Sequence, residues 1–283
     1  METQLDTAEF RVLLESATST ISDFSIGFVL PVDSPQGKDG ILGGSGTLVT
    51  IGKLHGILTA RHVVERLNRS SEVGLILPSR FSPAVHQLVF KIAECQCFTF
   101  NGRGDESEGP DLALLLPPEG TLSSLRAKKS FYNISKREAR MRNNAPFLDR
   151  GFWILEGIAG EWTTDAPTEM NFSRVKVFRG VSGAVKITKS YEREDFDYLI
   201  CEALYNEYYE GPEDFGGFSG GGLWQFLVEP QRCALQISEY ILSGVAFYQS
   251  SKMKNDAGQK IREIMCHGRN SLYGALVSLV GTA

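Results

Sequence analysis

The chain has 283 residues, 42% of them hydrophobic and 22% charged, which is a composition typical of a globular protein. Its 29 Lys and Arg against 34 Asp and Glu give a formal charge of -5, so we expect no nucleic-acid partner. There is no run of about 18 apolar residues, and the acidic first residues do not resemble a secretory leader, so we expect a cytoplasmic protein outside the membrane.

The first twenty-four residues predict a helical extension, because Phe10, Leu13 and Leu14 follow helical spacing. From residue 25 to 123 the pattern changes to short apolar runs separated by Gly, Pro, Ser and Asn, which predicts β strands. A second series of such runs covers 146–252. The fold class is therefore all-β, with two β lobes and a cleft between them.

Residues 124–145 between the two series are strongly basic, with seven Lys and Arg against one Glu. We interpret them as a solvated connector or a short surface helix, and a docking site for an acidic partner is the alternative. Residues 253–283 predict a closing helix, because Ile261, Ile264 and Met265 lie at helical spacing.

Five dispersed cysteines are an odd number, and we expect reduced thiols rather than a disulfide framework. Cys95 and Cys97 would face the same way on a strand, and with Cys266 and His267 they are a weak zinc candidate. A second matched pair at finger spacing is missing, so we predict no metal and no cofactor.

The stretch "DFGGFSGGGLWQF" surrounds Ser219 with five glycines. Glycine clusters serve close backbone approach or unusual dihedral angles, so this is either a flexible loop or a turn that presents a nucleophile. A serine nucleophile needs a base, and the base needs an orienting group. His62, after the apolar run "HGILTA", is the candidate base, and Asp111, at the mouth of "LALLL", is the candidate orienting group. We expect His55 and His86 to lie on strand surfaces and His267 on the last helix.

Four motifs, "GSGTLV", "LTARHVV", "PDLALL" and "GGFSGGGLW", resemble the trypsin-like (chymotrypsin-fold) serine peptidases in their order His, Asp, Ser. The resemblance covers roughly Ile26 to Gln249 and, given the expected location, is to an intracellular prokaryotic type. It implies two six-stranded antiparallel β barrels, a catalytic triad of His62, Asp111 and Ser219, and an oxyanion hole formed by the N–H groups of Gly217 and Ser219. The implied activity is hydrolysis of protein or peptide substrates through an acyl-enzyme.

Phe218 departs from the family pattern, because many members have Asp there to pair with a new N-terminus after proteolytic activation. We therefore expect no activation of that kind, and a protein partner that orders the loops is the alternative. Two other functions stay open. A peptidase-fold module could bind peptides without cutting them. The sequence G-x-S-x-G also matches the nucleophile elbow of α/β-hydrolases, with Asp256 and His267 as partners, although a helix should then follow Ser219.

The resemblance also implies the specificity pocket. Glu213, six residues before Ser219, would lie at its base and favour Lys or Arg in the substrate. A pocket for small apolar side chains is the alternative. Phe247, Tyr248 and Gln249 would line the far wall and bind the substrate backbone.

Overall fold

The structure is a computed structural model, and it describes the following residues: 8–34, 37–78, 86–100, 109–167, 174–204, 212–231, 234–250, 253–254 and 260–282. The elements of the first lobe are β1 Ser25–Ser34, β2 Gly37–Ile51, β3 Leu54–Thr59, α2 Arg61–Leu67, β4 Glu72–Leu77, β5 His86–Lys91, β6 Gln96–Thr99, β7 Ala113–Leu116 and β8 Tyr132–Asn133. These strands form one sheet in the order β5-β4-β1-β2-β3-β7-β6, with β8 paired to β2.

The second lobe is a closed barrel in the order β12-β13-β18-β15-β14-β9. Its strands are β9 Phe152–Ile158, β12 Gly180–Arg193, β13 Phe196–Ala203, β14 Gly222–Gln231, β15 Ala234–Gln249 and β18 Glu263–His267. Two short hairpins complete the strands: β10 Thr164–Pro167 with β11 Arg174–Val177, and β16 Met253–Lys254 with β17 Lys260–Ile261. The predicted all-β class with two β lobes is confirmed.

The first lobe is an open half-barrel, whereas the resemblance implied a closed six-stranded barrel. In the described part of the chain no ladder joins β5 to β6. These two strands are connected by a 3-10 turn, Ile92–Glu94, which takes the backbone out of the strand direction. The two edge strands of the sheet, β5 and β6, therefore do not close it into a barrel.

The helices lie at the ends of the chain and in the connections. They are α1 Ala8–Ser22, α3 Glu119–Arg126, α4 Glu138–Asn143 and α5 Val277–Gly281, the last preceded by a π-helical segment, Asn270–Leu276. The predicted closing helix is wrong over its first half. Ile261 lies in β17, and Ile264 and Met265 lie in β18, which pairs with both β13 and β15 and completes the barrel. The alternating burial of Ile264 and Cys266 is the strand period, which the helical spacing concealed.

Strand β9 joins the two lobes, and its seven residues are all buried. Trp153 and Leu155 point into the barrel core, whereas Phe152 and Ile154 belong to a second cluster together with α1 and strands of the first sheet. A strand buried on both faces has no polar alternation, which explains why its sequence is apolar except at the buried Glu156. The same cluster contains Trp224 from β14, stacked on Phe24 at a ring-centroid distance of 5.4 Å.

The basic segment 124–145 folds against the protein rather than standing free. Three of its arginines form ion pairs: Arg126 with Glu119, Arg140 with Glu239 and Arg142 with Glu138. Lys129 donates hydrogen bonds to the carbonyls of Ser22 and Pro78, both at 2.6 Å. At least four of the segment's seven cationic side chains thus bind groups of the same chain. This does not favour a docking site for an acidic partner.

Candidate active site

The register of two strands brings His62 and Asp111 together. Thr59 at the end of β3 pairs with Ala113 at the start of β7. Because the pairing is antiparallel, the residues that follow β3 lie beside those that precede β7. His62 is the second residue of α2, which begins directly after β3, so its imidazole meets the Asp111 carboxylate.

Asp111 contacts His62 through both carboxylate oxygens. Oδ1 accepts the His62 backbone N–H at 2.9 Å, and Oδ2 lies 2.5 Å from Nδ1 of the imidazole. The first contact satisfies one of the free N–H groups at the start of α2, where no side chain from the N-cap residue does so. Asp111 is fully buried, while 22% of the His62 side chain is exposed. One carboxylate therefore fixes both the helix start and the imidazole, and sequence reasoning found only the second role.

His267 lies on the other side of Asp111, on β18 rather than on a helix. Its Nε2 accepts the Asp111 backbone N–H at 2.9 Å. The ring is fully buried and packs on Phe247, Tyr198 and Phe196 at centroid distances of 4.6, 5.2 and 6.0 Å. Burial lowers the pKa of His267 to about 4, against a smaller opposing effect of Asp111. The imidazole is neutral above that pH, as an acceptor at Nε2 requires.

The turn that carries Ser219 is held by backbone hydrogen bonds on both sides. The Phe218 N–H donates to the Phe215 carbonyl at 2.9 Å, and the Gly220 N–H donates to the Ala246 carbonyl at 2.7 Å. The Gly216 carbonyl accepts from Gly160 N–H at 2.9 Å. The Gly216 carbonyl and the Gly217 N–H belong to the same trans peptide group and point in opposite directions. The Gly217 N–H therefore faces away from Gly160.

The N–H groups of Gly217 and Ser219 have no acceptor among the residues that the structure describes. They are two residues apart on one turn, next to the Ser219 hydroxyl. Two free amides in that position can bind a negatively charged oxygen, which is the chemistry that an oxyanion hole requires.

Glycine is required at two positions of this turn. Gly217 has φ +100°, and a Cβ there would lie 2.2 Å from Leu42 Cδ2. Gly220 has φ +91°, and a Cβ there would lie 2.0 Å from the Ser45 carbonyl oxygen. Both the dihedral angle and the space exclude a side chain. The glycine-rich stretch is therefore a tightly packed turn, not a flexible loop.

Ser45 is a buried contact that the sequence reasoning missed. It lies on β2 of the first lobe, and its Oγ donates to the Gly217 carbonyl at 2.6 Å and accepts from Ile158 N–H at 2.8 Å. Its own N–H donates to the Ser219 carbonyl at 2.8 Å. The signal in the sequence was one small polar residue inside the glycine-rich strand motif "GSGTLV".

His62 and Ser219 line the same cleft, which has a volume of about 170 Å³. The Ser219 hydroxyl lies 3.5 Å from the Phe247 carbonyl. The other lining residues are Phe215, Gly216, Phe218, Ala246, Phe247, Tyr248, Gln249 and Ile264. Phe247, Tyr248 and Gln249, which the resemblance implied as pocket residues, are thus part of the cleft lining, and their role in substrate binding stays a prediction.

The structure does not place Glu213, the residue predicted for the base of the pocket, in this cleft. Glu213 is exposed and does not line the cleft. The apolar side chains of Phe215 and Ile264 do so instead. The register of this loop could not be read from the sequence, and its preceding residues 205–211 lie outside the described part of the chain.

Gln249 is fixed by two hydrogen bonds at the side of the cleft. Its Oε1 accepts from Phe215 N–H, and its Nε2 donates to Asp214 Oδ1, both at 2.9 Å. Asp214 Oδ1 also accepts from Gly216 N–H at 2.7 Å, and Oδ2 pairs with Arg262 at 3.3 Å. The carboxylate near the cleft is therefore already occupied by internal donors, and apolar and polar groups share the surface that the cleft offers a substrate.

The other candidate residues do not converge on a second site. A strand, β14, follows Ser219, whereas the hydrolase elbow requires a helix there. Its proposed partner Asp256 lies outside the described residues. Cys97 lies on β6 of the first sheet and Cys95 directly precedes that strand, while Cys266 and His267 are buried in the barrel. Within the described ranges no cluster of three or more His, Cys, Asp or Glu could hold a metal ion. None of the described helices is long and apolar enough to cross a membrane.

Comparisons with known proteins return structural likeness only. No family model matches the chain, and no curated protein sequence matches it. A structure from a study of the Sesbania mosaic virus VPg protein is similar over 90% of both chains, with 11% identity and a TM-score of 0.40. A mutant of tobacco etch virus protease is similar over 87% of this chain and 75% of its own, with 11% identity and a TM-score of 0.33. The tobacco vein mottling virus protease is similar over 87% and 77%, with 9% identity and a TM-score of 0.30.

Proposed function

We propose that the chain is a serine endopeptidase whose triad is His62, Asp111 and Ser219. The observation that carries the proposal is the pair of contacts from Asp111 to the His62 backbone and imidazole, beside a serine in the same cleft. A carboxylate on Nδ1 holds the tautomer whose Nε2 carries the lone pair that can accept a proton, and it stabilises the imidazolium that forms. This is the arrangement that a serine nucleophile needs.

The proposed reaction is acyl transfer. His62 Nε2 takes the proton of Ser219 as Oγ bonds to the peptide carbonyl carbon, and the negative charge moves to the carbonyl oxygen. The N–H groups of Gly217 and Ser219, which have no acceptor within the described ranges, stabilise that oxygen. The C–N bond then breaks as His62 gives the proton to the leaving amine. Water, activated by the same imidazole, releases the acyl group and regenerates the Ser219 hydroxyl.

The proposed substrate preference is a small apolar side chain before the cleaved bond. The cleft has a volume of about 170 Å³, and its lining includes Phe215 and Ile264. Among the described residues that line it there is no carboxylate that would favour Lys or Arg, and nearby Asp214 is bonded to Gln249 and Arg262. Gln249 takes up part of the remaining space. Side chains that need more room, or a charge partner, should bind poorly.

The test is labelling of the purified chain with a fluorophosphonate, followed by hydrolysis of a peptide anilide panel with Ala, Val, Leu, Phe, Lys or Asp before the cut. We expect labelling at Ser219 and hydrolysis of the Ala and Val substrates. Ser219→Ala and His62→Ala should lose both, and Asp111→Asn should lower the rate by about 10³-fold or more. His55→Ala is the matched control, because His55 packs on Phe131 away from the cleft.

Labelling that survives Ser219→Ala or His62→Ala would contradict the proposed triad. A wild-type chain that binds peptides in a tight complex but neither labels nor cleaves them would favour the silent binding module. Labelling that appears only after addition of a protein partner would favour the activated form of the enzyme.

A further inference from the structure

Asp111 is held from two sides, and only one of them belongs to the triad. Its carboxylate contacts His62, which like Asp111 belongs to the first lobe. Its backbone N–H contacts His267, which belongs to the barrel. Ser219 also comes from the barrel side, on the turn that enters β14. The geometry of the triad therefore depends on contacts that fix one lobe against the other.

We propose that His267 is a positioning residue: by accepting the Asp111 N–H through Nε2, it fixes the Asp111 backbone so that both carboxylate oxygens reach His62. The inference rests on the proposed peptidase function. It goes beyond that function because His267 touches neither substrate nor the reacting atoms.

The position of the His267 ring is itself determined by the barrel. His267 pairs with Val245 on β15 and with Tyr198 on β13, so its backbone is fixed by two ladders. Its ring lies against Phe247, whose carbonyl faces the Ser219 hydroxyl. One residue, Phe247, thus touches both His267 and the nucleophile, and a shift of His267 would move Asp111 relative to Ser219.

The direction of the Asp111 N–H matters because the residue is fully buried. Without an acceptor, this amide would be an unsatisfied buried donor, which destabilises the folded state. Reorientation of the peptide to find another acceptor would turn the carboxylate away from His62. The neutral state of His267 above pH 4 keeps its Nε2 lone pair available for this bond.

Histidine is used here although it leaves a polar atom unpaired. Nδ1 of His267 is buried and has no hydrogen-bond partner in the described part of the chain. For packing among Phe196, Tyr198 and Phe247, a phenylalanine ring would serve without that penalty. The acceptor at Nε2 is the one contact that a phenylalanine would lose, which supports a role for that contact.

The experiment compares three variants of β18 in the full chain: His267→Phe, His267→Gln and Cys266→Ala. Phenylalanine keeps the ring and removes the acceptor. Glutamine offers its Oε1 as an acceptor at a similar reach. Cys266 is the neighbouring buried residue and packs in the barrel core, so it controls for general disturbance of the strand. Circular dichroism and thermal melts establish that each variant is folded.

Two readouts are taken. The first is kcat and KM on the Ala substrate. We expect His267→Phe to lower kcat by about 10²-fold and to change KM by less than about threefold. The kcat of His267→Gln should be at least about tenfold higher than that of His267→Phe. The second is the low-field proton resonance of the short His62–Asp111 hydrogen bond, recorded in Ser219→Ala chains so that it does not depend on catalysis. It should vanish or broaden with His267→Phe and persist with Cys266→Ala.

A low-field resonance unchanged by His267→Phe would overturn the inference, as would an equal loss of kcat in Cys266→Ala. If the chain cleaves no peptide but the resonance still depends on His267, the positioning role stands and the proposed peptidase function fails. If the chain cleaves peptides and His267→Phe leaves kcat intact, the function stands and the positioning role fails.

Discussion

Ser45 and Ser219 lie on different lobes, yet the Ser45 N–H donates to the Ser219 carbonyl at 2.8 Å. The Ser45 hydroxyl continues this contact to the Gly217 carbonyl at 2.6 Å. A single residue of the first sheet therefore fixes both ends of the turn that contains the proposed oxyanion hole. Since the imidazole comes from the first lobe and the serine from the second, this contact sets their alignment together with the His267 bond.

Ser45→Ala should lower kcat on the Ala substrate by about 10–100-fold, because the Gly217 carbonyl and the Ile158 amide both lose their partner. The free energy of unfolding should fall by about 1–3 kcal/mol for the same reason. Kinetics and urea titration measure the two effects. Ser243→Ala is the matched control, because Ser243 is a buried serine that accepts a hydrogen bond from Arg269 and does not line the cleft. Equal kcat losses in both variants would contradict the role of Ser45.

Gly217→Ala should abolish most fluorophosphonate labelling, with a rate loss of about 10²–10³-fold. A methyl group there would lie 2.2 Å from Leu42 and 2.7 Å from the Ile158 carbonyl oxygen, and φ +100° is unfavourable for alanine. The turn must shift and carry its amide with it. Gly183→Ala on β12 is the control, since nothing lies within 4 Å of its Cβ position. Normal labelling of Gly217→Ala would exclude Gly217 from the oxyanion hole.

Gln249→Gly should widen the cleft and change the substrate preference. The fixed carboxamide is removed from the wall, so kcat/KM for Leu and Phe substrates should rise about 10-fold or more relative to the Ala substrate. The anilide panel measures this ratio. Gln236→Gly is the matched control, because Gln236 lies at the exposed end of the same strand. An unchanged ratio would mean that Gln249 does not limit the side chain before the cut.

Glu156 should make the stability of the protein decrease as pH rises. This carboxyl lies on β9 with 2% exposure, and burial raises its pKa from 4.5 to about 8, although Lys129 opposes the shift. Between those two pH values the folded state keeps a proton that the unfolded state has lost, so the free energy of unfolding falls across the interval. From pH 5 to 7.5 the fall should be roughly 1–3 kcal/mol. Burial lowers the pKa of Lys129 to about 8, so the titration of Lys129 changes the stability only above this pH interval.

The measurement is urea unfolding of wild type, Glu156→Gln and Glu65→Gln at several pH values between 5 and 7.5. Glu156→Gln should remove most of the slope, because glutamine cannot ionise. Glu65→Gln removes an exposed carboxyl and should leave the slope intact. Parallel curves for wild type and Glu156→Gln would mean that the buried carboxyl ionises normally.

The sequence was sufficient to predict the residues of the candidate site that lie in short local motifs. His62 follows an apolar strand, Asp111 precedes one, and Ser219 is surrounded by glycines, so each could be recognised from its neighbours. The all-β class followed in the same way from short apolar runs between turn residues. These features depend on local propensity and on strand period.

The features that sequence reasoning missed depend on contacts between distant parts of the chain. Ile264 fits a helical spacing and a strand alternation equally well, and only pairing of β18 with β13 and β15 decides between them. The same pairing puts His267 behind Asp111, 156 residues earlier in the chain. The position of Glu213 could not be derived from the sequence, because the loop before Ser219 has no periodic pattern that fixes its register.

The aromatic and aliphatic cluster around Trp224 has a consequence for how the protein unfolds. Its buried members come from α1, from strands of both lobes and from the segment that precedes α5. Each lobe therefore shares part of its core with the other, although the barrel also has a cluster of its own, and each would expose an apolar face if the other were removed. Such a molecule should melt in one cooperative transition, and neither half should be stable as a separate fragment. The cleft is thus a groove in the surface of a single folding unit, not a hinge between two independent ones.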